Sequence, residues 1–190
     1  MCGGQSSRMG SDKGLLQHRQ ETWARTAFDK IQQLSISGVL SVNDAQYLEY
    51  CKYFSPHQLI KDNATLAING PLCGLLSVHL QFPEEDLFIL ACDMLLMEVA
   101  MLQKIYDCFL NREKKAESFY CTNQHQPEPL CAIYTAEGLR SIVHQHREQP
   151  LPRHSMKYLL EKIPTVSIEL REDERKYFNN FNTAEDLHGH

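Results

Sequence analysis

One run constrains this chain more than any other. Residues 87–92 read Leu-Phe-Ile-Leu-Ala-Cys, apolar at every position, and stop at Asp93. An unbroken apolar stretch of strand length is buried on both faces, which in a soluble protein means a largely parallel sheet covered by helices on each side. The segments around it agree. Trp23, Ala27, Ile31 and Leu34 fall at helical spacing. The residues then predict strands over 37–42 and 57–61, and a helix over 72–80 with Pro71 in its first turn. Beyond the central run the expectations are helices over 99–110, 137–146 and 155–162, and strands over 118–121, 130–134 and 165–170. This alternation predicts a Rossmann-like three-layer α/β sandwich, mainly parallel, with ligands beyond the carboxyl ends of the strands.

Nothing divides the chain, and its 190 residues suit one domain. With 19 Lys and Arg against 24 Asp and Glu, and no basic stripe, it lacks the surface that a nucleic-acid backbone requires. No apolar stretch reaches the length of a membrane span and no signal segment opens the chain, so neither a membrane nor an export route is expected. The seven cysteines, at 2, 51, 73, 92, 108, 121 and 131, form no C-x-x-C pair, which fits a reducing cytoplasm. Cys73, Cys92 and Cys131 read as small core residues. His144 with His146, and His188 with His190, lack further ligands in sequence and read as surface residues.

The candidate chemistry begins at the amino end, where residues 2–13 read C-G-G-Q-S-S-R-M-G-S-D-K. Gly3 and Gly4 let the backbone approach a ligand closely, and Arg8 and Lys13 supply charge suited to phosphate. Neither the Walker pattern G-x-x-x-x-G-K-[S/T] nor the dinucleotide pattern G-x-G-x-x-G is present. Asp93, at the end of a buried strand, suits a hard cation such as Mg²⁺; the competing reading is a helix N-cap or a turn residue.

The string G-G-Q-S-S-R-M-G-S-D-K resembles the signature loop of nucleotidyltransferases, and in detail that of the molybdenum cofactor guanylyltransferases. The resemblance runs on in order through Asn43, Asp62, Gly70-Pro-Leu-Cys-Gly74, Cys92-Asp93-Met94, Glu128 to Tyr134 and Asn180 to Leu187. It implies a nucleotide-diphospho-sugar transferase fold that moves GMP from Mg-GTP onto the molybdopterin cofactor. Lys13, Arg8 and Asp93 would be catalytic, with Asp93 the metal ligand. Met1, Cys2, Gly3, Gly4, Lys13, Asn43, Asp62 and Asp93 would bind the nucleotide, and Asn180 and Asn182 the acceptor. GTP and the molybdopterin cofactor would be its small-molecule partners, with transient contacts to other cofactor-synthesis enzymes or target enzymes. Asp62 also fits an Asp-Asn turn, and the asparagines fit a turn with Thr183 as a helix cap. The residues leave open a cytidylyltransferase on the same cofactor, a sugar- or polyol-phosphate nucleotidyltransferase, or a non-catalytic nucleotide-binding remnant.

The chain departs from the family pattern in two places. Leu95 stands where a proline is common, and Met1 stands where an apolar first strand should end. Roughly five to eight further residues of strand-forming type are expected ahead of Met1.

Overall fold

A computed structural model of the protein describes residues 1, 12–18, 20–112, 115–183 and 186. After a 3₁₀ turn at Lys13–Leu15 come a small antiparallel hairpin of β1 (Gln17–His18) and β2 (Glu21–Thr22), then α1 (Trp23–Gln32), β3 (Leu40–Val42), α2 (Asp44–Tyr50) and β4 (Leu59–Lys61). Next are α3 (Pro71–Gln81), β5 (Leu87–Leu90), α4 (Val99–Leu110), β6 (Ser118–Asn123) and β7 (Gln126–Tyr134). The chain continues with α5 (Ala136–Glu148), α6 (Met156–Leu160), β8 (Thr165–Glu169) and a 3₁₀ segment at Glu172–Phe178.

The main sheet has the order β5-β7-β6-β8. β7 is antiparallel to β5 and β6, while β6 and β8 are parallel. Thus β5, β6 and β8 point the same way and β7 alone is reversed. β3 and β4 form a separate parallel pair. Met1 joins the free edge of β5: its amino group donates to Leu90 O at 2.8 Å and its carbonyl accepts from Cys92 N at 3.3 Å.

Both faces of the main sheet are apolar, as the 87–92 run requires. Leu90, Cys131, Ile133 and Phe119 pack with α1, α4 and Phe178 on one side. Ile89, Ala132 and Tyr134 pack with α3, α5 and α6 on the other. The three-layer α/β expectation therefore holds, and Cys73, Cys92 and Cys131 are buried as expected. The expected strands at 118–121 and 130–134 are longer than predicted and form one hairpin. Its turn residues Gln124 and His125 have φ of 50° and 62°, the left-handed pair that a two-residue hairpin turn demands.

Side-chain caps set the helix starts: Thr22, Thr135 and Ser155 each accept from a backbone N–H three residues on. α3 lies unusually close to the β3–β4 pair. A Cβ on Gly74 would come within 2.2 Å of Ser41 Oγ and 3.3 Å of Asp62 Oδ1, so a side chain there would displace the Ser41 hydroxyl that bonds Asp62 or shift the helix. No helix among the described residues is long and apolar enough to cross a membrane.

Candidate active site

The carboxyl ends of β3, β4 and β5 carry Asn43, Asp62 and Asp93 respectively, the edge where ligands bind in parallel sheets. Lys13 meets Asp93 there. Its Nζ donates to Asn182 Oδ1 at 2.6 Å and lies 3.7 Å from Asp93 Oδ2. One point in the cleft thus joins the amino-terminal turn, the end of β5 and the carboxyl-terminal segment, residues 169 positions apart in the case of Lys13 and Asn182.

Local chemistry explains why Lys13 stands there. Asp12 caps the Lys13–Leu15 turn, its Oδ1 accepting from Gly14 N at 2.9 Å and from Tyr50 Oη at 3.1 Å. Its Oδ2 accepts from Gln46 Nε2 at 2.6 Å. Gln46 in turn closes a capping box with Asn43: Asn43 Oδ1 accepts from Gln46 N, and Gln46 Oε1 accepts from Asn43 N, both at 2.9 Å. Asn43 therefore spends its oxygen holding α2. Its contribution to a ligand is left to the amide nitrogen.

Asp93 is not a helix cap, since the N-cap of α4 is Glu98, but it does stand in a turn, the other competing reading. Its backbone carbonyl accepts from Phe181 N at 3.0 Å. One carboxyl oxygen, Oδ1, is buried without a hydrogen-bond partner among the described residues, and such atoms are rare in folded proteins because they cost free energy. Burial pushes the Asp93 carboxyl above its ordinary range, opposed by the Lys13 ammonium. An unpartnered oxygen on a desolvated carboxylate fits a cation. Among the described residues no group of three or more His, Cys, Asp or Glu could hold a metal, so the remaining ligands would be waters and substrate phosphates, as is usual for Mg²⁺.

Asp62 Oδ1 accepts from Ser41 Oγ at 3.2 Å, and burial raises its carboxyl too. On the opposite side, Asn182 N and Thr183 N donate to Asp186 Oδ2 at 2.8 and 3.0 Å, and Asp186 N donates to Thr183 Oγ1 at 3.2 Å. Thr183 and Asp186 thus bond each other reciprocally. Asn180 is exposed beside the buried Phe181, which packs with Trp23 and Cys92. The expected site residues Cys2, Gly3, Gly4 and Arg8 lie outside the described residues, as do His188 and His190. His144 is a surface residue paired with Glu148. His146 is not: Nδ1 accepts from Leu151 N at 3.1 Å and Nε2 lies 2.7 Å from Leu66 O, so it ties two loops together.

Sequence reasoning passed over a second fixing point. Glu174, in the segment leading to Asn182, is buried; both its carboxyl oxygens accept from Lys104 Nζ at 2.9 Å, and Oε2 also accepts from Arg171 N. Burial alone would raise the Glu174 carboxyl, but these donors outweigh it and lower it. A depressed carboxylate contributes stability above its ordinary pKa and loses it as pH falls through the folded value. Glu174→Gln is expected to lower the thermal midpoint at pH 7 by about 2–6 °C, a loss of about 1–2 kcal/mol. Midpoints of the two proteins measured from pH 7 to pH 3 should converge as the wild type is protonated; a gap that persists at pH 3 would show that the ion pair is not its source.

The matching family model and the curated relatives agree with each other. The family model described as the MobA-like NTP transferase domain matches residues 1–164. A probable molybdenum cofactor guanylyltransferase of Flavobacterium johnsoniae is 26% identical over 187 residues, spanning 98% of this chain and 92% of that protein. A molybdenum cofactor guanylyltransferase of Campylobacter jejuni is 26% identical over 188 residues, 94% of this chain and 87% of its own. Among solved structures, molybdopterin-guanine dinucleotide biosynthesis protein A from Archaeoglobus fulgidus superposes with a TM-score of 0.76 at 19% identity, covering 99% of this chain and 93% of its own.

Proposed function

This chain belongs to the MobA-like NTP transferase domain family, and from that premise we propose that it transfers GMP from Mg-GTP to the molybdopterin-bound molybdenum cofactor, releasing pyrophosphate. The acceptor phosphate oxygen forms a bond to the α-phosphorus while the bond from that phosphorus to the leaving pyrophosphate oxygen breaks. Two anions must be brought together, so the protein's task is positioning and charge neutralisation.

The observation that carries this reading is Asp93 Oδ1, buried beside Lys13 and without a hydrogen-bond partner among the described residues. Asp93 would hold Mg²⁺, which supplies charge neutralisation at the phosphate oxygens when bound. Lys13, placed by Asp12, would neutralise the outer phosphates and the departing pyrophosphate. Arg8 would add a second cation, and Met1, Cys2, Gly3 and Gly4 would line the nucleotide. Asn43 and Asp62 would hold guanine and ribose, and Asn180 and Asn182 the pterin side. Residues 1–190 are read as one such domain, since β8, which follows the family match, pairs with β6 in the main sheet.

Binding of GTP, CTP, ATP and UTP with Mg²⁺, followed by labelled pyrophosphate release on adding molybdopterin-loaded acceptor, tests the reading. GTP is expected to bind at least about tenfold more tightly than the others, equivalent to about 1.4 kcal/mol. Preference for CTP would make it a cytidylyltransferase. Binding without release from any nucleotide would leave a non-catalytic remnant.

A further inference from the structure

Helix α1 touches both halves of the site. Its first residue, Trp23, donates its N–H to Leu16 O at 2.9 Å, directly after the turn that carries Lys13. Trp23, Ala27 and Lys30 stand at i, i+4 and i+7, one face of the helix. Trp23 and Ala27 pack with Cys92, Leu95, Leu96 and Phe181, so that face lies along residues 92–96, the segment that contains Asp93. Lys30 completes the contact: its Nζ donates to Leu95 O at 2.7 Å, two residues beyond Asp93 and 65 positions from Lys30 itself. The segment is also tied by Phe181 N to Asp93 O at 3.0 Å and by Met97 N to Met94 O at 3.1 Å, with Met94 and Met97 buried in the core beside α4. A lysine is a costly group for this duty. Burial pushes its ammonium down to about 8, with the Glu98 carboxylate opposing, and among the described residues its hydrogen-bond partner is a single carbonyl. A neutral donor would satisfy that carbonyl without the burial of a charge. The ammonium gives a bond about twice as strong as a neutral one, and it makes that bond at the exit of the turn in which Asp93 stands.

We propose that Lys30 is a positioning residue: by holding Leu95 O it fixes the turn that aims the Asp93 carboxylate, and α1 thereby sets the spacing between Asp93 and Lys13. The inference rests on the reading of Asp93 as the cation ligand. Lys30 touches neither nucleotide nor metal; it acts through the backbone of residues 93–95. The backbone on the amino side of Asp93 is held by the sheet, where Ala91 N donates to Leu130 O at 2.9 Å, and its own carbonyl is held by Phe181. The Leu95 carbonyl is the next point at which the turn is pinned, and without it the peptides between Asp93 and Met97 are free to rotate. A displacement of about 1 Å at a metal-holding carboxylate is enough to lower a rate by about 100-fold. The same strut reaches Lys13 through one bond, Trp23 N to Leu16 O, so the two charged groups of the cleft are referred to a single rigid helix.

Four proteins test it: wild type, Lys30→Met, which keeps the apolar stem and removes the ammonium, Lys30→Arg, which keeps a charged donor of at least equal reach, and Asp93→Asn. The probe is Mn²⁺ in place of Mg²⁺, and the readout is the factor by which it strengthens GTP binding. In Lys30→Met that factor is expected to fall by about tenfold and turnover by about 10- to 100-fold. Affinity for GTP without metal should stay within about twofold, and the thermal midpoint within about 3 °C, because loss of the bond and relief of the buried charge oppose each other. Lys30→Arg should recover the Mn²⁺ effect to within about threefold of wild type. Should Lys30→Met fail to fold, Lys30→Gln, whose amide falls one atom short, carries the same expectations. A Mn²⁺ effect in Lys30→Met equal to wild type would overturn the proposal, as would Lys30→Arg no better than Lys30→Met, or a loss of metal-free GTP affinity and midpoint in step with turnover, the mark of a merely structural bond. Asp93→Asn separates the two failures: if it abolishes the Mn²⁺ effect while Lys30→Met keeps it, Lys30 alone is misassigned, and if it keeps the effect, the cation reading of Asp93 falls and takes this inference with it.

Discussion

Replacing Asp93 by Asn is expected to reduce Mg²⁺-dependent turnover by at least about 1,000-fold while raising the thermal midpoint of the metal-free protein by about 2–6 °C. The two effects have one cause. Asp93 Oδ1 is buried with no hydrogen-bond partner among the described residues, and burial lifts its carboxyl above the ordinary range despite Lys13 at 3.7 Å. A carboxylate with a raised pKa costs the fold stability whenever it is ionised; the cost is full above the folded pKa and fades as pH falls through it. An isosteric amide removes the charge and the cost together, and removes the ligand. The stabilising gain of Asp93→Asn over wild type should therefore shrink on acidification, as the wild-type carboxyl becomes neutral by itself. Losing the contact to Lys13 subtracts little, because both side chains are partly exposed at 22% and 29%. Turnover within a few-fold of wild type would remove Asp93 from the reaction. A midpoint that falls by several degrees would show that the carboxylate packs rather than waits for a cation.

How much of this was readable beforehand depends on how local the cause is. The helix expected over 99–110 matches α4 (Val99–Leu110) because its amphipathic spacing is contained within it. α2 carries no apolar period, Tyr50 being its only buried residue; it is fixed instead by the Asn43–Gln46 capping box, whose letters give no periodic signal. The β6–β7 hairpin was missed because its left-handed turn is built from Gln124 and His125 rather than the Asn-Gly or Asp-Gly that signals such turns. The site divides in the same way. Asp93 announces itself as the one charge ending an apolar run. Asp12 and Glu174 do not, since their partners Gln46, Tyr50 and Lys104 lie 34, 38 and 70 positions away and only the fold brings them together.

Lys13→Ala is expected to weaken binding of GTP by about 30- to 100-fold, the loss of a charge-assisted contact of about 2–3 kcal/mol, while GMP binding changes less than about threefold. The asymmetry follows from the charge being assigned to the outer phosphates, which GMP lacks. A rival account starts from the same geometry: Lys13 Nζ donates to Asn182 Oδ1 at 2.6 Å, and on that account the lysine matters only by tethering the carboxyl-terminal segment. The two roles separate in a double-mutant cycle. If tethering were the whole effect, Asn182→Ala would reproduce the loss, and adding Lys13→Ala to it would cost nothing more. If Lys13 acts on phosphate, Asn182→Ala should impair acceptor use and leave GTP affinity within about threefold, and Lys13→Ala should retain its full effect on GTP in either background. Because Asp12 holds the turn through three hydrogen bonds of its own, losing the Lys13 side chain should leave the midpoint within about 2 °C. Equal losses for GTP and GMP, or a loss for GTP that Asn182→Ala abolishes, would assign Lys13 to the acceptor segment and leave the neutralisation of the outer phosphates to Arg8.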